Sequence, residues 1–281
     1  MEIILKYAQT GRKLTIICLV VLTVAIIQLT VVPLKKILSR ENGTGNRPML
    51  HHVEYFIDSQ KYYYVIIGQT YFVYFVVCLS YAMADTMFMV FVQHACGLFK
   101  TLGYRLTHLI DDDVLDDDDF NPPISKDKYF NDISECVIRH QKAIEFAELV
   151  DSYYSKTFFL VSGLSMLRMS VTGLKAALSV GDTKQLIQDL AVCNLALVHV
   201  FFDCLNGQRL INHSNEVHDN LINCEWYRTS ARTRQLILLM SLRSLKPSIL
   251  LAAGLLSVSL ETYSAIVRTS ISYYTIIRSF Q

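Results

Sequence analysis

The sequence lacks the marks of an enzyme. It holds no nucleophile elbow, no phosphate loop, no HExxH helix and no pair of carboxylates spaced for acid–base work, and it calls for no cofactor. An excess of either charge is also missing. The 26 Lys and Arg nearly balance the 25 Asp and Glu, and the basic residues are dispersed, so nucleic-acid binding has no footprint. A metal site is excluded where one is first sought, at Asp85, His94 and Cys96 in "YAMADTMFMVFVQHACG". Positions 94 and 96 lie about 200° apart on a helix and cannot face one ion.

What the chain does have is apolar length. Of its 281 residues 52% are hydrophobic and only 18% charged, and its mean hydropathy is +0.32. Crossing a hydrocarbon core of about 30 Å takes roughly 20 helical residues. Blocks of that order run at approximately 14–34, 62–98, 158–178, 186–205 and 259–280. Backbone groups in lipid are satisfied inside helices, so the pattern predicts an all-α membrane protein, a multi-span bundle of about five transmembrane helices. The first block exceeds the about 7–15 residues of a signal-peptide core and has no small-residue cleavage site after it, so it reads as a retained helix.

Orientation follows from the positive charges. Sixteen of the 26 Lys and Arg fall on the side that holds the N-terminus, seven on the other, with Lys35 and Lys36 against the trend. This bias puts the N-terminus in the cytoplasm and the C-terminus outside. "NGT" at Asn42 then becomes an external glycosylation sequon. Asn212-His213-Ser214 matches the same pattern on the inner side, a measure of how common it is. Seven cysteines, an odd number with none in an outer loop, imply no disulfide framework.

The inner segments are more than loops. "DDDVLDDDDF" carries seven aspartates in positions 111–119. Such a run is a solvated, self-repelling linker or captures divalent cations, although it lacks the spacing and glycine of a calcium loop. Beyond Lys128, Phe130, Ile133, Val137, Ile144 and Ala147 recur at near-helical spacing, which predicts an amphipathic helix running straight into the third block. The stretch 100–156 is thus a cytoplasmic linker and helix. Over 232–250, "RTRQLILLMSLRSLKPSIL" reads as a cytoplasmic helix stopped near Pro247, with Trp226 packing in the same layer.

Two stripes carry the candidate sites. In the second block Tyr71, Tyr74, Cys78, Tyr81 and Asp85 are spaced 3, 4, 3, 4 and share one helical face. A charge within a span faces protein or water, so this face points inward, for helix packing with Asp85 bonded to a neighbour, or with Tyr71, Tyr74 and Cys78 bordering a pocket for a small apolar ligand. In the last block Thr269, Ser272, Ile276 and Ser279 form a narrow, hydroxyl-rich face, suited to helix packing or to the wall of a hydrated pore. Arg278 reaches for headgroups or the pore mouth, and Arg268 needs water or a partner.

The stretches "ADTMFMVFVQHACGLFKTLGYRL", "VIRHQKAIEFAELVDSYYS", "FFDCLNGQRLINHSNEVHDNLINCEWY" and "LETYSAIVRTSISYYTIIRSFQ" together resemble the insect odorant receptors, most of all those of ants, bees and wasps. The resemblance covers nearly the whole chain, in order. It implies the last five helices of a seven-helix, inverted-topology subunit, one odorant receptor membrane domain over 1–281. Such a subunit binds a small volatile odorant and forms a tetrameric, odorant-gated cation channel with an obligate coreceptor, in the plasma membrane of olfactory sensory neurons. It also implies an outer-half odorant pocket and a gate on the terminal helix, at Ile276 and Phe280, with the 232–250 helix joining subunits. The family carries two further helices ahead of the one near Leu14, so Met1 is expected to be an internal start or the product a truncated one, silent or coreceptor-sequestering. A metabotropic receptor signalling through a G protein is the other class, and the cytoplasmic N-terminus argues against it.

Overall fold

The computed structural model describes residues 61–109, 129–178 and 183–279, with scattered positions between 5 and 23. The aspartate run, Asn42, Phe280 and most of the 14–34 block lie outside the described residues, as do the side chains of 176–192, Arg278 and Ser279. The described residues between 5 and 23 are helical (α1). Among the described residues four helices of 20 residues or more follow: α2 (Tyr63–His108), α3 (Phe130–Leu178), α4 (Thr183–Asn223) and, after the shorter α5 (Ala231–Ser244), α6 (Leu260–Ser279). The chain divides into two compact units, 12–87 and 1–11 with 88–281.

In the first unit, α2 before Phe88 carries its large apolar side chains outward. Val65, Phe72, Phe75 and Met83 are exposed, Phe72 at 68%. A soluble surface does not present so continuous an apolar face. Among the described residues α2 is the one helix long and apolar enough to cross a membrane. The later apolar blocks are interrupted by Ser, Thr and Arg, and α3 shows why they still favour lipid on one side. Leu160, Leu164, Leu167 and Val171 are exposed at spacings of 4, 3 and 4, while Phe158, Ser165, Met169 and Thr172 are buried opposite them.

The second unit holds the core. α3 runs unbroken through 49 residues, so the amphipathic helix and the third apolar block are one element. Its first half buries Ile133, Cys136, His140, Ala143, Ala147 and Val150. α4 buries Ala196, Val200, Asp203, Gly207, Leu210, Ser214, Val217 and Leu221, alternating four and three residues apart. Together with Val92, Phe99, Leu102 and Leu106 of α2 these faces make one cluster that shuts out water. Its polar members are bonded: Gln93 Nε2 donates to Asn206 Oδ1 at 3.0 Å, and Asn206 Nδ2 to the Phe202 carbonyl at 2.8 Å. His140, edge-on to Phe99, is pushed down to about 4 by burial and then by the Arg243 charge, so it stays neutral in the core.

Two expectations change at α5. The helix expected across 232–250 starts where Ser230 caps the backbone N–H of Thr233 at 3.2 Å. It ends at Ser244, with Leu245 as its C-cap. The proline acts upstream of its own ring: Pro247 disfavours helix at the residue before it and has no N–H to extend the ladder. Residues beyond it form a short antiparallel hairpin, β1 (Leu251–Ala252) and β2 (Leu256–Ser257). The loop is Ala253, Gly254 and Leu255: the Leu255 N–H donates to the Ala252 carbonyl at 3.0 Å, and the two residues inside that bond, Ala253 (φ 49°) and Gly254 (φ 70°), both occupy the left-handed region. Trp226, expected to pack, instead stands 40% exposed in a 3-10 turn (Trp226–Arg228), with the Arg234 guanidinium 5.9 Å above its ring. A single turn between two helices gives so large a ring no interior to enter, and the cation covers its face instead.

Gly207 sits where α4 meets the end of the hairpin. A Cβ there would lie 2.0 Å from the Val258 carbonyl oxygen, whereas one at Gly163 on α3 would meet nothing within 4 Å. Gly207→Ala is expected to lower the thermal unfolding midpoint of the purified protein in detergent, at a cost of roughly 1–3 kcal/mol or more. Gly163→Ala should instead gain up to about 1 kcal/mol from helix propensity. Equal midpoints for the two variants would refute this packing.

Candidate functional site

The Tyr71–Asp85 stripe lies on α2 as its spacing predicts. Tyr71, Tyr74, Cys78 and Asp85 are half-buried, while Phe72, Val73, Phe75, Val76 and Val77 between them are exposed. Tyr81 departs from the stripe. At 37% exposure it yields its place on the less exposed face to Ala82, because a 3.6-residue turn drifts from a strict 3–4 alternation. This face therefore offers aromatic rings and one thiol, a wall that suits an apolar ligand with few fixed polar groups. His94 and Cys96 meet different surroundings. The His94 ring is edge-on to Phe146 at 5.1 Å, and Cys96 is fully buried.

On α6 the packed and polar faces separate. Ile266 and Ser270 are buried, and Tyr263 packs against the core. Thr269, Ser272 and Ile276 are turned roughly 100° away from them. Ser272 is exposed, and Ile276 is 51% exposed. The hydroxyls on this face are satisfied by the helix's own carbonyls: Thr269 Oγ1 donates to Ala265 at 2.8 Å, and Ser272 Oγ to Arg268 at 3.0 Å. A wall of this kind can border water or lipid without an orphaned donor. Arg268 is also exposed.

The direction of that face depends on residues the sequence did not single out. α3 grips the hairpin that precedes α6. Asp151 Oδ1 accepts from the Leu251 N–H at 2.5 Å, the Ser155 hydroxyl donates to the Leu251 carbonyl, and the Ala253 N–H donates to the Ser155 carbonyl at 3.1 Å. α4 grips the other side. Ser214 Oγ accepts from the Ser248 N–H at 2.9 Å, and Gly207 abuts Val258. Ser259 caps the start of α6, its hydroxyl accepting from the Thr262 N–H at 3.3 Å. The sequence signal was faint: a Ser-Asp pair in a long helix and a glycine among apolar residues.

Residues 1–271 match the family model described as 7tm Odorant receptor. Odorant receptor 9a of Drosophila melanogaster is 23% identical over 196 residues, 70% of this chain and 46% of that protein. Odorant receptor 63a of the same fly is 27% identical over 202 residues, 69% of this chain and 44% of that one. The chain spans about half the length of the curated relatives it matches. Among solved structures, the insect olfactory receptor OR5 from Machilis hrabei covers the whole chain with 69% of its own, at a TM-score of 0.80 and 16% identity. The same receptor in complex with eugenol gives 0.76 at 13% identity. At that identity the likeness shows the fold.

The clamp on the hairpin can be tested directly. Asp151→Ala leaves the Leu251 N–H without its charged acceptor and is expected to cost about 1.5–3 kcal/mol in thermal unfolding of the purified protein. Ser155→Ala should cost less. A loss below that of Ser155→Ala would show that the carboxylate does not hold the hairpin.

Proposed function

The chain belongs to the 7tm odorant receptor family, and from that premise we propose that it is the odorant-binding subunit of a ligand-gated cation channel formed with the family's coreceptor. The observation that carries this reading is the fold likeness over the whole chain to an olfactory receptor solved with eugenol. In this reading Tyr71, Tyr74 and Cys78 border the odorant pocket, where a small volatile molecule gains affinity by burying its surface against rings. Occupancy shifts a closed-to-open equilibrium only as far as the odorant prefers the open state. Thr269 and Ser272 then line a hydrated path, and Ile276 with Phe280, one turn apart, closes it by excluding water.

The receptor lies in the plasma membrane of olfactory sensory neurons, N-terminus in the cytoplasm, C-terminus outside and Asn42 in a glycosylated outer loop. The distribution of Lys and Arg supports this orientation.

Expressed at its native length with the coreceptor, the receptor should pass odorant-evoked cation current that survives a block of guanine-nucleotide exchange. Current lost under that block would assign the protein to metabotropic signalling. In the same cells Ile276→Ala should raise the leak without odorant. An unchanged leak would remove Ile276 from the gate.

A further inference from the structure

A cavity of about 440 Å³ opens between α2 and α4 beside the first residues of α1, walled in part by Tyr7, Gln93, Lys100, Tyr104, Arg209 and His213. Its size falls within the roughly 300–1,000 Å³ of ordinary ligand pockets. Its chemistry is unlike that of an odorant site. Among the described residues no carboxylate lines it, and Thr10, Thr107 and Asn220 complete a polar wall.

The wall is held in place from behind. One oxygen of Glu216 accepts from Lys100 Nζ at 2.8 Å and from His213 Nδ1 at 3.2 Å. A carboxylate that is ionised can only accept, so Nδ1 carries the imidazole proton and Nε2 accepts from the Tyr7 hydroxyl at 3.0 Å. Burial works against ionisation of Glu216, but the bonds and charges of Lys100 and His213 outweigh it and leave its carboxyl below the usual range. Glu216 is thus engaged by Lys100 and His213, and Arg209 lies on the same wall. Arg209 is half-buried and has no hydrogen bond or ion pair with any described residue. A guanidinium at a cavity wall, its fork bonding no described residue, is matched by a phosphate group.

The exposed apolar face of α2 runs from Tyr64 to Val90, already as long as a hydrocarbon core requires, and the lining residues Gln93 to Thr107 follow beyond it. A phosphorylated polyol reaches such a cavity from a lipid headgroup or from solution. We propose that this cavity binds a phosphorylated polyol, with its phosphates on Arg209 and Lys100 and its hydroxyls on Gln93 and Asn220. Neutral volatile ligands gain nothing from such a wall, so the site is separate from the odorant pocket.

The test is thermal unfolding of the purified, native-length protein titrated with short-chain phosphatidylinositol bisphosphate, short-chain phosphatidylcholine or inositol trisphosphate. The expected result is a saturable rise in midpoint with the phosphoinositide or with inositol trisphosphate, and none with phosphatidylcholine. Arg209→Gln should weaken the response roughly tenfold or more, and Arg209→Lys, which keeps the charge and loses the fork, should recover only part of it. Asn220→Asp, which adds a carboxylate at almost unchanged size, should weaken it likewise. No rise, or a rise that both Arg209→Gln and Asn220→Asp leave intact, overturns the site. A rise with inositol trisphosphate at the same concentrations as the lipid assigns the cavity to a soluble phosphate, and a rise with the lipid alone assigns it to a headgroup.

Discussion

The contact of Gly207 with the Val258 carbonyl is the constraint on which the arrangement of the terminal helix depends. Only a residue without Cβ lets α4 come that close to the hairpin. With α4 on one side and the Asp151 and Ser155 bonds of α3 on the other, the hairpin cannot rotate independently. α6 leaves it within two residues of Val258, so its buried face, Ile266 and Ser270, and its hydroxyl face, Thr269 and Ser272, inherit fixed directions. A loop of the same length without these bonds would leave α6 free to turn about its axis.

The two units of the chain answer to different solvents. In the core around Phe99, Ile133 and Leu210, burial from water supplies the driving force. In the membrane-crossing half of α2, exposed Phe72 and Phe75 cost nothing once lipid replaces water. There the half-buried tyrosines and Asp85, rather than the apolar residues, distinguish one face from the other. This explains why so apolar a helix can still carry a specific surface.

Much of this was legible in the sequence, for a physical reason. Helical faces repeat, so the Tyr71–Cys78 stripe, the burial of Ile133, Ile144 and Ala147, and the continuity of α3 could be read from spacing alone. The hairpin could not. "LLAAGLL" is apolar throughout, its turn residues are Ala253 and Gly254 rather than the Asn-Gly pair that usually signals such a turn, and its strands are two residues long. The cavity was hidden for another reason. Lys100, Arg209 and His213 are far apart in the chain, and no local pattern brings α2 and α4 together at that level. Trp226 stays exposed with the Arg234 cation over its ring, a contact that no helical spacing reveals.

The central claim is that α6 turns its hydroxyl face to an ion path and its Ile266–Ser270 face to the protein. Single cysteines placed at 266, 269, 270, 272 and 276 in the native-length receptor, expressed with the coreceptor, can be treated with a charged, water-borne thiol reagent while odorant-evoked current is recorded. The account predicts rapid current block at 269, 272 and 276 and little effect at 266 and 270. Equal effects on both faces, or block confined to 266 and 270, would contradict it.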